Sequence, residues 1–113
     1  MVEADAEDDL YEMANLRPKA TGLPMVIWVS ERGNARHDAR LKVSKQHGDR
    51  MNINDTAVVG IRPPSLLAGH LSPVDRRTVE RWITLNQTAL IDYWDQVIDT
   101  AELIQRLQPL PPP

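Results

Sequence analysis

The chain contains no cysteine and no phenylalanine. The first absence excludes disulfide bonds, thiolate metal ligands and a cysteine nucleophile. The second leaves three tryptophans and two tyrosines as the aromatic residues, so the core must consist mainly of Val, Ile and Leu. No apolar run approaches the ~20 residues of a membrane-spanning helix, and the N-terminus is acidic, unlike that of a signal peptide. We therefore expect a cytoplasmic protein that is not bound to a membrane.

Charge is segregated along the 113 residues, a length that suits one domain. Residues 1–16 contain six acidic residues and no basic one, whereas residues 17–50 contain eight basic and three acidic residues. High charge with few large apolar groups is typical of disorder. We predict a disordered acidic arm over 1–16, a single domain over 17–108 and a proline-rich tail over 109–113. Met13 is an alternative start, which would make residues 1–12 an extension.

The first half of the domain has the pattern of β-strands. A near-continuous apolar run rich in β-branched residues indicates a buried strand, and the next stretch alternates apolar with basic or polar residues, as a strand with one face in water does. A third strand is predicted to end at Pro63-Pro64, because proline cannot donate to a ladder. The predicted strands cover about 24–31, 38–46 and 56–62, and a short edge strand at 51–53 would be a fourth. Together they form a small antiparallel sheet of three to four strands.

The second half has the pattern of helices. Ser72 and Asp75 form a capping box, and a proline occupies the first helical position between them. A helix over about 73–94 then places its apolar side chains on one face. Asp99 repeats the capping pattern before a short C-terminal helix at about 100–107. Strands followed by helices predict an α+β fold, in which the long helix covers one face of the sheet and the short helix lies beside it.

Two blocks of the chain, residues 15–44 and 72–110, resemble small uncharacterised proteins of alphaproteobacteria. The shared phrases are Trp-Ile-x-Leu-Asn, Leu-x-x-Tyr-Trp-Asp and Thr-x-Glu-Leu, which here are Trp82, Ile83, Leu85, Asn86, Leu90, Tyr93, Trp94, Asp95, Thr100, Glu102 and Leu103. The layout is also similar to the domain-of-unknown-function family 4160, whose members often sit in genes arranged like toxin–antitoxin pairs. Relatives of that family carry a His-rich strand motif. Here His37 matches it, whereas Arg40 or Lys42 stands where further histidines would be expected. The resemblance implies a bacterial source and no known activity.

The basic residues of the hairpin 32–45 are the first candidate site, and we predict that they bind a partner. They are Arg32, Arg36, His37, Arg40, Lys42 and Lys45. Alternation alone explains a solvated strand face, and the functional alternatives are an acidic protein or a phosphate backbone lying along the sheet. The water-facing positions of the basic strand hold no aromatic on which a base would stack. The direction of the Trp28 side chain is ambiguous, because the residues that share its parity on the strand are Val26 and Ser30.

Catalysis and metal binding have little support in the sequence. Adjacent residues of a strand point to opposite faces, so Asp38 does not orient His37 as a proton carrier. His47 and His70 lie far from His37 in the chain, and no two histidines have the close spacing of metal ligands. Nucleophile–base and phosphate-loop motifs are absent from the sequence. We therefore predict no catalytic residue, no metal ion and no cofactor.

A second candidate site lies on the long helix, where Asn86 interrupts the apolar face. That face comprises Val79, Trp82, Ile83, Asn86, Leu90, Tyr93 and Trp94. A buried amide without partners costs about 1–3 kcal/mol, so Asn86 must form hydrogen bonds. Either it ties the helix to backbone groups of the sheet or of the chain after Pro64, or it lines, with Trp82, a small pocket between helix and sheet.

These observations favour a non-enzymatic, protein-binding or regulatory module, in a toxin–antitoxin-like setting. The alternative is nucleic-acid binding through the hairpin 32–45. We also hypothesise that residues 1–12 lie over this hairpin and compete with an acidic partner.

Overall fold

A computed structural model describes residues 12–112. These residues form β1 (Met13–Leu16), α1 (Pro18–Thr21), β2 (Ile27–Ser30), β3 (Arg40–Ser44), β4 (Thr56–Ile61), β5 (Pro64–Ala68), α2 (Pro73–Trp94) and α3 (Thr100–Arg106). The strands form one antiparallel sheet in the order β1-β2-β3-β4-β5, so each strand pairs with its neighbour in sequence. α2 packs across β2, β4 and β5, and α3 packs against α2. The predicted α+β architecture is confirmed.

The core lies between one face of the sheet and one face of α2. Strand alternation puts Val29, Leu41 and Val59 on that side of the sheet, and all three are buried. From α2, the largest fully buried side chains are those of Trp82 and Tyr93. All seven residues of the predicted helix face are buried. The inside and outside of both layers therefore follow the sequence pattern.

α2 and α3 begin where their capping residues predict. Ser72 Oγ accepts a hydrogen bond from the N–H of Asp75 at 3.1 Å, and an Asp99 carboxylate oxygen accepts one from the N–H of Glu102 at 2.9 Å. These bonds satisfy N–H groups that have no partner inside the helix. Within residues 12–112, no helix has both the length and the apolarity that crossing a membrane requires.

The described residues contain five strands, so the prediction of three to four strands was wrong. β5 is one of the two missed strands, and it follows β4 directly. Arg62 and Pro63, joined by a cis peptide bond, form the turn, and Pro64 pairs with Ile61 at the start of the edge strand. A proline at the first position of an edge strand removes no essential ladder bond. The Pro63-Pro64 pair therefore turns the chain and does not end the sheet.

β1 is the other missed strand, and it lies in the segment 1–16 that was predicted as a disordered arm. Ala14 pairs with Val29 of β2, and both Ala14 and Leu16 are buried. Four residues beside a run of acids give no strand signal alone, so pairing with β2 is what defines this strand. Residues 1–11, the rest of the predicted arm, lie outside the described residues.

The proposed fourth strand at 51–53 is a loop. A turn closes there, because the N–H of Asp55 donates to the carbonyl oxygen of Asn52 at 2.9 Å. Residues 51 to 53 pair with no strand among residues 12–112. Relative to the prediction, the sheet therefore has an additional strand at each edge and no strand between β3 and β4.

The proline-rich tail predicted over 109–113 is attached to the domain at Leu110. The Leu110 N–H donates to the carbonyl oxygen of Thr21 at 2.8 Å, and the side chain packs partly buried against the core. Gly22, which follows α1, has φ of 78°, and a Cβ there would lie 2.5 Å from the Leu110 carbonyl oxygen. Glycine thus permits both the left-handed backbone and the close approach of the tail.

Candidate functional site

The side of the sheet opposite α2 carries a mixture of apolar and basic side chains. We call it the open face and define it by Met13, Asn15, Trp28, Ser30, Arg40, Lys42 and Val58, all of which are at least partly exposed. All of these except Asn15 line, together with His37, a groove of about 410 Å³. Seven of the eight residues that line this groove belong to β1, β2, β3 and β4. It is therefore where the structure brings predicted site residues together.

Trp28 is the aromatic residue of the open face. The strand register places it opposite Lys42 on β3 and opposite Asn15 on β1. Its indole Nε1–H donates to Asn15 Oδ1 at 3.1 Å, which fixes the orientation of the ring. The sequence left the direction of Trp28 open, although its neighbours Ile27 and Val29 are the buried ones. The basic strand therefore does have an aromatic neighbour, supplied by the adjacent strand.

The charge of the open face has one sign. Across the five strands the only charged residues are Arg40 and Lys42, and both are basic. Within residues 12–112, neither of them forms an ion pair. No acidic side chain of the strands neutralises them. The face therefore offers cations, beside an indole, to an anionic ligand.

Three of the six predicted partner-binding residues, His37, Arg40 and Lys42, lie at the same groove. His37 is exposed in the loop between β2 and β3, and its ring centroid lies 5.6 Å from that of Trp94. Arg32 is part of a separate pocket of about 390 Å³, which His37 and Trp94 also line. Arg36 is exposed in the same loop.

Lys45 is the predicted residue that lies apart from this group. It follows the other end of β3, where its Nζ is 3.6 Å from an Asp55 carboxylate oxygen. Lys45 is not among the residues that line the groove. The candidate surface therefore lies on the sheet and on the β2–β3 loop, and the far end of the predicted hairpin does not contribute to it.

Asp38, the neighbour of His37, binds an arginine. The Asp38 carboxylate accepts hydrogen bonds from Arg62 Nε at 3.0 Å and from Arg62 Nη2 at 2.9 Å. The hydrogen bonds from Arg62, followed by one from the backbone N–H of Ala39, lower the pKa of Asp38 to about 2. The same pairing raises the pKa of Arg62. His37 Nδ1 instead lies 2.9 Å from the backbone oxygen of Asp38, so the geometry supplies no His–Asp dyad.

Replacing Arg62 with Gln is expected to raise the pKa of Asp38 from about 2 toward the ordinary value of an aspartate side chain, 3.8. A carboxylate pKa that is depressed by folding stabilises the protein above the unfolded-state pKa, and that stability is lost as the pH falls toward 2. A carboxyl ¹³C NMR titration measures the shift. Arg50→Gln, which removes an exposed arginine from a loop, is the control with the same change in charge. An unchanged Asp38 titration in Arg62→Gln would contradict the assignment.

Asn86 is buried and fully bonded, as the first of the two alternatives requires. Its Nδ2 donates to the carbonyl oxygens of Trp82 and Gln108, each at 3.0 Å, and its Oδ1 accepts from the Gln108 N–H at 2.7 Å. The partner is the C-terminal segment, whereas the sequence pointed to the sheet or the chain after Pro64. Asn86 also lines a surface depression of about 370 Å³ with Arg106 and Gln108. Trp82 is fully buried and is no part of that lining.

A hydrogen-bonded group joins the start of the described chain to α3. The Glu12 carboxylate accepts from the N–H of Thr100 at 2.8 Å and from its hydroxyl, and the Tyr93 hydroxyl lies 2.8 Å from Thr100 Oγ1. The Glu12 N–H donates to Glu31 Oε1 at 2.9 Å. Burial raises the pKa of Tyr93; the bond to Thr100 opposes this, and the nearby charges of Glu12, Glu31 and Asp99 add to it.

No metal centre is built by these groups. Within residues 12–112, no three His, Asp or Glu side chains lie close enough to hold an ion together. The open face and the Glu12–Thr100 group both use their polar atoms in hydrogen bonds or leave them to solvent. What the arrangement can do chemically is bind an anion next to an aromatic ring.

Residues 51–95 match the model of the family described as Domain of unknown function (DUF4160). The DUF4160 segment spans β4, β5 and α2, and its description names no activity. Trp28, Arg40 and Lys42 lie outside it, so the match covers mainly the scaffold behind the open face. No curated protein and no solved structure matches the chain.

Proposed function

We propose that this protein is a non-enzymatic binding module whose open face takes up an acidic segment of a partner protein. The observation that carries the proposal is that Arg40 and Lys42, the only charges on the five strands, line one groove with Trp28. Carboxylates of the partner would pair with the two cations, and its apolar side chains would pack on the indole and on Met13 and Val58.

The dimensions of the face favour a segment over a folded surface. Five strands spaced ~4.8 Å apart give a width of ~19 Å, and strands of this length extend for less than ~20 Å. A standard protein–protein interface buries about 800 Å² on each partner, which is more than this footprint. One extended strand or one helical turn with its flanks fits instead.

A second copy of the chain is a poor occupant for the same face. Two open faces in contact would bring Arg40 and Lys42 of one copy against the same cations of the other. Like charges in contact across an interface are unfavourable, and no acidic residue of the strands offsets them. The charge therefore favours a partner of different, acidic composition.

The biological setting belongs to the same proposal. We place the protein in the cytoplasm of a bacterium, in an alphaproteobacterial lineage, as a regulatory component of a toxin–antitoxin-like pair. The support is the resemblance of residues 15–44 and 72–110 to such proteins, together with the DUF4160 match over residues 51–95.

Single-stranded nucleic acid is the second candidate ligand, and the placement of Trp28 favours it. Such ligands bind where cations follow the phosphates and an aromatic ring stacks on a base, and stacking contributes about 1–3 kcal/mol per base. The open face has one such ring, next to Lys42. A single-stranded nucleic acid needs cations along several phosphates and rings for several bases, whereas the strands carry two cations and one such ring, so the acidic segment is proposed first.

Titration of the full chain with a labelled acidic peptide containing Leu and Tyr tests the proposal. We expect Lys42→Glu to weaken binding by about tenfold or more, because a repulsive charge replaces an attractive one at the centre of the face. Fluorescence anisotropy at low salt measures the affinity. Lys19→Glu makes the same change of charge on α1, outside the groove, and is expected to leave the affinity nearly unchanged.

The outcomes separate the two ligands. Preferred binding of a single-stranded oligonucleotide, with a steep salt dependence and a loss of affinity in Trp28→Ala, would replace the peptide by nucleic acid. The proposal fails if the peptide does not bind, or if Lys42→Glu changes its affinity no more than Lys19→Glu does. A glutamine version of the peptide shows whether the carboxylates are required.

A further inference from the structure

The point at which residues 1–11 join the described fold is fixed beside the open face. Glu12 exchanges backbone and side-chain hydrogen bonds with Glu31, and its carboxylate is held by Thr100. Met13, the next residue, lines the groove of the open face. The segment before Glu12 therefore leaves the fold at the rim of the groove, at the end of the sheet where β2 finishes.

Basic residues cluster at that end of the sheet, beside the carboxylates of Glu12 and Glu31. β2 leads into a loop with Arg32 and Arg36, and β3 begins with Arg40, which lines the groove. Asp38 in the same loop forms an ion pair with Arg62, which neutralises its negative charge. At the exit point the carboxylates of Glu12 and Glu31 accept hydrogen bonds from Thr100 and from the Glu12 N–H, respectively. The three arginines of the loop and of β3 form no ion pair within residues 12–112, so a chain that leaves the fold at Glu12 has unpaired cations within reach.

Residues 1–11 have the acidic and partly apolar composition that we propose for a ligand of the open face. They contain five acidic residues and no basic one: Glu3, Asp5, Glu7, Asp8 and Asp9. Leu10 and Tyr11 stand next to Glu12 and provide apolar surface of the kind that packs on an indole. The charge of the segment is opposite to that of Arg40 and Lys42, and the segment joins the described fold next to the groove that these two residues line.

The segment is also long enough. Eleven residues span at most ~36–40 Å when extended. The sheet is only ~19 Å wide across its five strands. Residues 1–11 can therefore cross the whole groove from their fixed end, and Asp8 and Asp9 are near enough to Glu12 to reach its cationic rim.

We propose that residues 1–11 bind the open face of their own chain and act as a built-in competitor of its acidic partner. The contact itself is independent of any partner, whereas its role as a competitor rests on the proposed function. An effective concentration of about 1 mM against a contact Kd of about 0.1 mM would weaken partner binding by ~10-fold. The partner would then have to displace the segment.

A full-length variant with neutral residues 1–11 tests the contact. Its substitutions are Glu3→Gln, Asp5→Asn, Glu7→Gln, Asp8→Asn and Asp9→Asn. Trp28 is the half-exposed tryptophan, whereas Trp82 and Trp94 are 0% and 3% exposed, so acrylamide quenching of fluorescence reports on Trp28. We expect quenching to be stronger in the variant than in the parent at low salt, and equal at about 0.5 M salt, where charges are screened within a few ångströms.

The control removes exposed acids elsewhere. Asp49→Asn with Glu102→Gln lowers the negative charge without touching residues 1–11, and it is expected to leave the quenching of Trp28 as in the parent. Equal quenching in the parent and the neutral variant at low salt overturns the inference. A difference that grows with protein concentration also overturns it, because the segment would then bind a second copy.

Peptide binding distinguishes this inference from the proposed function. Tighter binding of the labelled acidic peptide by the neutral variant, by ~10-fold, supports both. Altered quenching of Trp28 with no binding of peptide or oligonucleotide supports the contact and contradicts the proposed function. Equal peptide affinity of both variants, with unaltered quenching, overturns the inference and leaves the proposed function in place.

Discussion

Replacing Trp82 with Ala is expected to lower the free energy of unfolding by about 3–5 kcal/mol, the usual loss when a large aromatic is removed from a core. Trp82 is fully buried on the face of α2 that packs on the sheet. A domain of this size has a stability of about 5–15 kcal/mol, so the variant loses a large part of it. Urea unfolding followed by far-UV circular dichroism measures the change without depending on tryptophan fluorescence.

The matched control is Trp28→Ala, which removes the same side chain from the open face. Trp28 is partly exposed, and we expect a smaller loss than for Trp82, about 1–2 kcal/mol. The Trp82→Phe variant adds a second comparison, because Trp82 Nε1 is buried without a hydrogen-bond partner among residues 12–112. Phe keeps most of the packing and removes this donor, so its loss is expected to be well below that of Ala. Equal losses in Trp82→Ala and Trp28→Ala would refute the assignment of inside and outside.

Replacing Asn86 with Ala is expected to lower the free energy of unfolding by about 2–3 kcal/mol, because three hydrogen bonds of a buried amide are lost. Two of them tie α2 to the backbone of Gln108. We therefore expect hydrogen exchange of the Leu110 N–H, which donates to Thr21, to accelerate in the same variant. Chemical denaturation and amide exchange together separate the loss of stability from the release of the tail.

The control for Asn86 is an amide that is exposed. Gln105→Ala on α3 removes such a group, and its effect is expected to stay within ~0.5 kcal/mol. Asn86→Asp keeps the shape and one acceptor, but it turns an oxygen toward the carbonyl oxygens of Trp82 and Gln108. Its loss should at least equal that of Asn86→Ala. A stable Asn86→Asp variant with a protected Leu110 N–H would show that the amide does not hold the tail.

The helices were predictable because their signals are local. Ser72 and Asp75 cap α2 in a sequence of four residues, and the apolar stripe repeats with the helical period from Val79 to Trp94. The alternation of β3 is equally local, and Leu41 and Val43 are buried as expected. The signals that determine these elements lie in residues that are close in sequence.

β1, β5 and the direction of Trp28 depend on contacts between distant residues. Met13–Leu16 is a strand because β2 lies beside it, and Pro64 is tolerated because β5 is an edge. Trp28 lies in an apolar run, and only its pairing with Lys42 shows which face of the sheet its side chain occupies. The same limit applies to Asn86, since the need for partners was evident from the sequence, and the identity of Gln108 as partner was not. The sequence therefore predicted the two cations of the open face, whereas the position of its tryptophan required the fold.

The bonds of Glu12 make the first strand and the last helix part of one cooperative unit. The Glu12 carboxylate is the acceptor for the Thr100 N–H in the first turn of α3, and its backbone is bonded to Glu31 at the end of β2. Local unfolding that strips β1 from the sheet must also expose the beginning of α3, and fraying of α3 must loosen β1. A ligand that binds the rim of the groove beside Met13 would therefore slow the local unfolding of α3, near the other end of the chain.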